Sequence, residues 1–255
     1  MNMQKDSLTI LGVTAVGGAL GLFVRWLQNT SIFDAETGLA RQNAGISWAF
    51  VILCVIVAAV QLILTLRLRY CRAEPDYCNA LQGRGPFLPI FSAIMGALTL
   101  VGGVASFSAV FASNYVVLLL VLAVLGIFTG LALIRLALNK SSGAMTCLCT
   151  AVPVVFFCFW LIVSYKENAS NPELWSYCIE ILAICASILA WYFVAGYAFG
   201  RPKPMKTLFF CQLAAFLNIV AMADSRPLGR QLLLLCPALM LLATAVQLVR
   251  NLHRN

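Results

Sequence analysis

Glu180 is the one acid well inside a long apolar run, and the chemistry open to this chain starts from it. A carboxylate at membrane depth is costly unless it is paired, neutralised or wetted, so such an acid is a functional candidate by default. If the run begins near Leu174, Glu180 lies six residues in, or about 9 Å deep. Ser176, Glu180, Ala183, Ser187 and Ala190 recur at helical spacing and form one small and polar stripe. The first apolar run supplies a counter-charge: Thr14, Gly18, Gly21 and Arg25 follow one another at intervals of four, three and four and share a face. A third run carries Asn218 on a face with Cys211, Ala214 and Ala221, with Asp224 just past its end. Together Arg25, Glu180, Asn218 and Asp224 make a candidate polar pocket, in which Arg25 and Glu180 approach each other while Asn218 and Asp224 line the wall. The competing account is a structural ion pair, or side chains snorkelling at an interface, because a bundle of this size needs some polar glue.

Other reactive residue types offer less. Asp34 and Glu36 stand beside a Thr37-Gly38 turn in the segment from Gln28 to Gly45. Two carboxylates there could meet a cation, but they lack the oxygen-rich spacing of a calcium loop, which favours a solvated turn. Cys71 and Cys78 are seven apart with no second pair and no histidine nearby, so zinc is not expected. The other eight cysteines lie in apolar runs, where a thiol behaves as a small hydrophobe. The only histidine, His253, is in the tail, which leaves histidine-based metal, haem or base chemistry without a residue inside the membrane. No phosphate-binding glycine loop, nucleophile elbow or metalloprotease helix occurs, and no aspartate lies inside a span to build an aspartyl protease. Neither a catalytic set nor a metal or cofactor site is expected.

The elements that hold these residues are membrane helices. Of 255 residues, 62% are hydrophobic and 10% charged, where soluble domains carry roughly a quarter charged. Runs of about 20 apolar residues are long enough to cross a bilayer core. Eight of them are expected, at 8–27, 46–67, 87–113, 115–138, 144–164, 174–199, 206–223 and 231–249. Phe87 to Leu138 has no charge before Arg135, and one helix of that length would reach about 78 Å. It must fold back, and Ser113-Asn114 is the expected turn. The predicted fold class is therefore all-α, a polytopic bundle of eight spans in a single transmembrane domain. No internal repeat supports an inverted-repeat transporter.

The 17 basic residues alternate between the connections. Twelve fall on the side of the amino terminus and five on the other, which places both termini in the cytoplasm by the positive-inside rule. The basic residues come singly or in pairs beside apolar runs, a topology signal that does not suit nucleic acid. Gly17 with Gly21, Gly126 with Gly130, and Gly196 with Gly200 are expected to form flat strips for helix packing, within the bundle or in a homo-oligomer. Pro153 and Pro237 lie within spans and are candidate kinks.

The stretch from Gly21 through Arg25 and Gln28 to Phe33-Asp34 and Thr37-Gly38-Leu39 resembles the opening of uncharacterised multi-span membrane proteins of anaerobic Firmicutes, over about the first 40 residues. That resemblance implies a bacterial plasma membrane and brings no activity with it. The residues point first to a non-enzymatic membrane protein, a small permease or the membrane subunit of a complex, with the lipid bilayer, a second copy or a complex partner around it. The alternative is an intramembrane transferase acting on a lipid-linked substrate at the outer leaflet.

Overall fold

The computed structural model describes residues 3–31, 45–82, 87–110, 115–138, 143–169 and 177–254. The expected turn at Ser113-Asn114 and the loop with Asp34 and Glu36 lie outside them. Among the described residues, eight helices are long and apolar enough to cross a membrane. They are α1 (Met3–Ser31), α2 (Gly45–Arg67), α4 (Phe87–Val110), α5 (Val116–Leu138), α6 (Ala144–Asn168), α7 (Cys178–Ala198), α8 (Pro204–Ala221) and α9 (Leu228–Arg250). A five-residue helix, α3 (Tyr77–Leu81), follows α2. Helices α1, α6 and α9 outlast the apolar runs that announce them, because backbone hydrogen bonding continues into polar residues at the membrane surface. Thus α1 gains a turn at each end, and α6 continues to Asn168, which places Glu167 on a helix.

In lipid, a leucine gains nothing by leaving the bilayer for the protein, so helices associate through close packing and polar contacts. The order of contacts follows from that. Helices α4 to α9 pack each against the next and α4 closes on α9, while α1 lies on α8 and α9 and α2 lies on α1 and α8. The enclosed helix is α9, with 67% of its membrane window buried, and the peripheral one is α2, with 22%. Trp160, Trp191, Phe156, Phe157, Phe216 and Leu241 fill the centre. Backbones meet where side chains are missing. A Cβ on Gly130 would stand 2.6 Å from the Leu100 nitrogen, one on Gly103 2.8 Å from the Ile127 nitrogen, and one on Gly102 3.0 Å from the Gly229 carbonyl. The expected Gly196–Gly200 strip is corrected: Gly200 has φ +69° just past the end of α7, and the Arg201 amide donates to the Gly196 carbonyl at 2.7 Å. That pair terminates a helix, and glycine serves there for its left-handed backbone.

At one end, the segment after α2 is ordered by local chemistry that hydropathy does not register. Asp76 caps α3 by accepting from the Cys78 and Asn79 amides at 3.2 and 3.4 Å. Asn251 satisfies the carbonyls at its other end, donating to Asn79, Ala80 and Gln82 at 2.9, 3.1 and 3.3 Å. A two-residue antiparallel ladder, β1 (Cys71–Arg72) with β2 (His253–Arg254), ties this segment to the tail. At the other end of α2, Trp48 is 68% exposed, and Tyr70 at the near end is 71% exposed. Such aromatic rings mark membrane interfaces, and the helix between Trp48 and Arg67 spans about 29 Å, close to a hydrocarbon core.

Candidate functional site

At the end of the bundle opposite α3, the ends of α1, α6 and α8 and the starts of α7 and α9 surround a basin of about 870 Å³. Its floor is a chain of ion pairs. Asp224 follows α8 through a tightened last turn, in which the Met222, Ala223 and Asp224 amides donate to carbonyls three residues back at 3.1 to 3.3 Å. That turn aims the carboxylate at α1. Its Oδ1 accepts from Arg25 Nε at 2.9 Å and from Asn29 Nδ2 at 3.1 Å, and its Oδ2 accepts from Arg226 Nη2 at 2.9 Å. Arg25 is 1% exposed, with a second bond to Gln28 Oε1 at 2.9 Å and its guanidinium carbon 5.9 Å from the centre of the Phe50 ring. The shared face of α1 explains its direction: Gly18 lies against Ile219 and Gly21 against Val220 and Phe216, so Arg25 also turns toward α8.

Arg226 extends the chain of charges. Its Nη2 reaches Glu180 Oε2 at 3.3 Å as well as Asp224, and its Nη1 donates to the Ala221 carbonyl at 2.7 Å. A cation on the last carbonyls of α8 also meets the negative end of the helix dipole. Glu180 accepts from the Trp160 indole at 3.0 Å through its other oxygen. Within the described residues α7 begins at Cys178 with Tyr177 as its N-cap, so Glu180 is in the first turn and shallower than six residues in. At that position the amino end of the helix favours the charge. Farther along the rim, Arg230 clamps Glu167 with two bonds of 2.8 and 2.6 Å, joining α9 to α6.

The four residues singled out in the sequence are thus only partly brought together. Arg25, Glu180 and Asp224 line one basin. Arg25 does not pair with Glu180; it pairs with Asp224, and Arg226 stands between the two acids. Asn218 is not on the wall. It is fully buried between α7 and α8, donating to Ser187 Oγ at 2.9 Å and to the Ala214 carbonyl at 2.7 Å. The small and polar stripe of α7 faces α8 there, so it serves as a helix contact. Sequence reading missed Arg226, Arg230, Glu167 and Trp160, counting the three charged ones only toward topology. The spacing Asp224-x-Arg226 was the available signal, since two opposite charges so close after a helix end can share a partner.

A second cavity, of about 290 Å³, opens at the opposite end beneath α3. Tyr77, Gln82, Pro89, Ser92, Met240 and Thr244 are among its lining residues, and Gln82 donates to the Leu136 carbonyl at 3.1 Å. Burial pushes the Tyr77 phenol up from its ordinary range. Both cavities are walled by α9, through Arg230 and Gln231 at one end and Met240 and Thr244 at the other. Between them α9 is packed, with Leu233, Leu234, Cys236 and Pro237 buried and Leu233 seated on Gly126. No protein-family model, no curated protein and no solved structure matches this chain.

Proposed function

We propose that this chain is a small, non-enzymatic permease of a bacterial plasma membrane, oriented with its termini in the cytoplasm and the basin facing outward. One observation carries the reading: two cavities open at opposite ends of one helix bundle, share the wall formed by α9, and are divided by a packed layer. A carrier closed at its middle has that form, and Pro237 lies in the dividing layer, where a proline loosens the helix ladder of the element both cavities share. The acids in the basin are held by arginines, an arrangement that suits binding better than proton transfer or nucleophilic attack.

The test is solute-specific flux. Liposomes containing the purified protein, exposed to separate gradients of neutral, zwitterionic and charged solutes, are expected to swell or take up label for one class and not the others. Thr244→Trp, which fills the smaller cavity, should abolish that flux while binding at the basin survives. Vesicles no leakier than protein-free controls for every class would overturn the reading. One observation favours the transferase alternative: Trp26, on the basin wall, is half exposed on the outside of the bundle and puts the basin within reach of lipid. Turnover of a lipid-linked donor by the same vesicles would establish it.

A further inference from the structure

We infer that the basin takes a neutral, polyhydroxylated ligand of saccharide type, an assignment that rests on the basin's being the entry site of the permease. The first ground is charge. Its described lining holds Arg25, Arg226 and Arg230 against Glu167, Glu180 and Asp224, and every one of these groups has an opposite partner at 2.6 to 3.3 Å. The charge of this described lining sums to zero, so these side chains favour neither anions nor cations. A charged ligand would have to separate a pair, and removing the partner of a desolvated charge is strongly unfavourable. Arg25, which is almost wholly enclosed, makes that exchange most costly at the floor.

The second ground is what the charges leave available. Asn29, Thr30, Asn168, Ser225 and Gln231 also line the basin; the first three already donate to Ala223 and Asp224, to carbonyls of α1 and to the Ser164 carbonyl, and their oxygens can accept, while Ser225 and Gln231 can do both. The ligand that matches such a surface carries hydroxyls, which also do both. The third ground is aromatic. Trp26 and Tyr177 stand on the wall, and the flat apolar face of a sugar ring packs on an aromatic ring while its hydroxyls turn to the polar side. A basin of about 870 Å³ is within the range of small-molecule sites and has room for more than one ring. The same chemistry is presented by a free saccharide and by the headgroup of a neutral glycolipid, which Trp26 would meet from the bilayer.

Glucose, glucosamine and glucuronate differ little in size and differ in charge, so they are the probes, with maltose as a two-ring ligand. The full chain in nanodiscs should show a saturable rise in melting temperature with maltose and glucose. Glucosamine and glucuronate should bind about tenfold more weakly or worse, a difference near 1.4 kcal/mol. The affinity for the neutral sugars should be insensitive to salt, because no charge is screened. Asn168→Asp adds one negative charge at the rim and should move the preference toward glucosamine, a shift that a merely destabilised protein would not show. Nanodiscs containing a galactosyl lipid, compared with nanodiscs lacking it, separate the two sources: a shift with lipid alone assigns the headgroup, and a shift with free maltose assigns the solute. Preference for either charged sugar, or no shift with any neutral saccharide or glycolipid, overturns the inference. Flux of a charged or zwitterionic solute without sugar binding would leave the permease standing and remove the ligand class; sugar binding without flux would do the reverse.

Discussion

Asp224 is the residue on which the polar end depends, because one carboxylate holds Arg25 of α1, Asn29 of the same helix and Arg226 of the loop before α9. Removing it would take from Arg25, which is almost fully enclosed, the carboxylate 2.9 Å from its Nε. Breaking one side of such a pair costs about 3–5 kcal/mol. Asp224→Asn is therefore expected to lower the melting temperature of the purified protein sharply, and Asp224→Asn combined with Arg25→Met should recover much of the loss. The pair of Arg230 and Glu167 is more open to solvent, at 16% and 21% side-chain exposure, so Glu167→Gln should cost about 1 kcal/mol or less. Equal losses from the two acids would show that enclosure is not what sets their worth. Elsewhere, the side-chain oxygens of Gln61 and Gln212 are buried without a donor, although their amide nitrogens bridge α1, α2 and α8 at 3.3 to 3.4 Å. Those long contacts are weak hydrogen bonds, and they connect the peripheral α2 to the bundle.

Among the elements, α4, α5 and α9 approach through glycine, and the approach is too close for any side chain. The nearest atom to a Cβ on Gly130 belongs to the Leu100 backbone, which cannot rotate away. Gly130→Val must push α4 and α5 apart, and overpacking of this kind costs about 1–3 kcal/mol or more. Gly12 in α1 has nothing within 4 Å of the corresponding point. Gly12→Ala should leave the melting temperature unchanged or raise it slightly, which makes it the control for helix propensity. Half of this seam was legible beforehand. Gly126 and Gly130 announce themselves as a pair four apart, but their partners Gly96 and Gly103 are seven apart, a two-turn spacing that marks the same face with wider steps.

For the molecule as a whole, contacts at both ends establish that α6, α7 and α8 alternate in direction. Arg226 joins the end of α8 to the start of α7, while at the other end Cys147 at the start of α6 donates to the Ala198 carbonyl near the end of α7 at 3.1 Å. The proposed orientation, with the termini in the cytoplasm, rests on the distribution of Lys and Arg. A fluorescent protein fused after Asn255 is expected to fold and fluoresce, and alkaline phosphatase fused there to be inactive. The opposite pair of results would invert the proposed orientation and turn the basin inward.

Hydropathy and length determined the eight spans, because each depends only on a run of residues matching the thickness of the bilayer core. Helical periodicity likewise placed Arg25 on the face of α1 that turns inward, since that direction depends on spacing within one helix. Pairing lay beyond reach of both. Whether Arg25 meets Glu180 or Asp224 depends on the rotation of α7 and α8 about their axes and on the tightened turn after α8, and these are set by contacts among residues far apart in the chain. Asn218 shows the same division: its helix and its face were readable, but only packing decided that this face meets Ser187 in the interior and not the basin. The basin, the smaller cavity and the packed layer between them belong wholly to the tertiary structure, because a cavity is defined by the side chains that do not fill it.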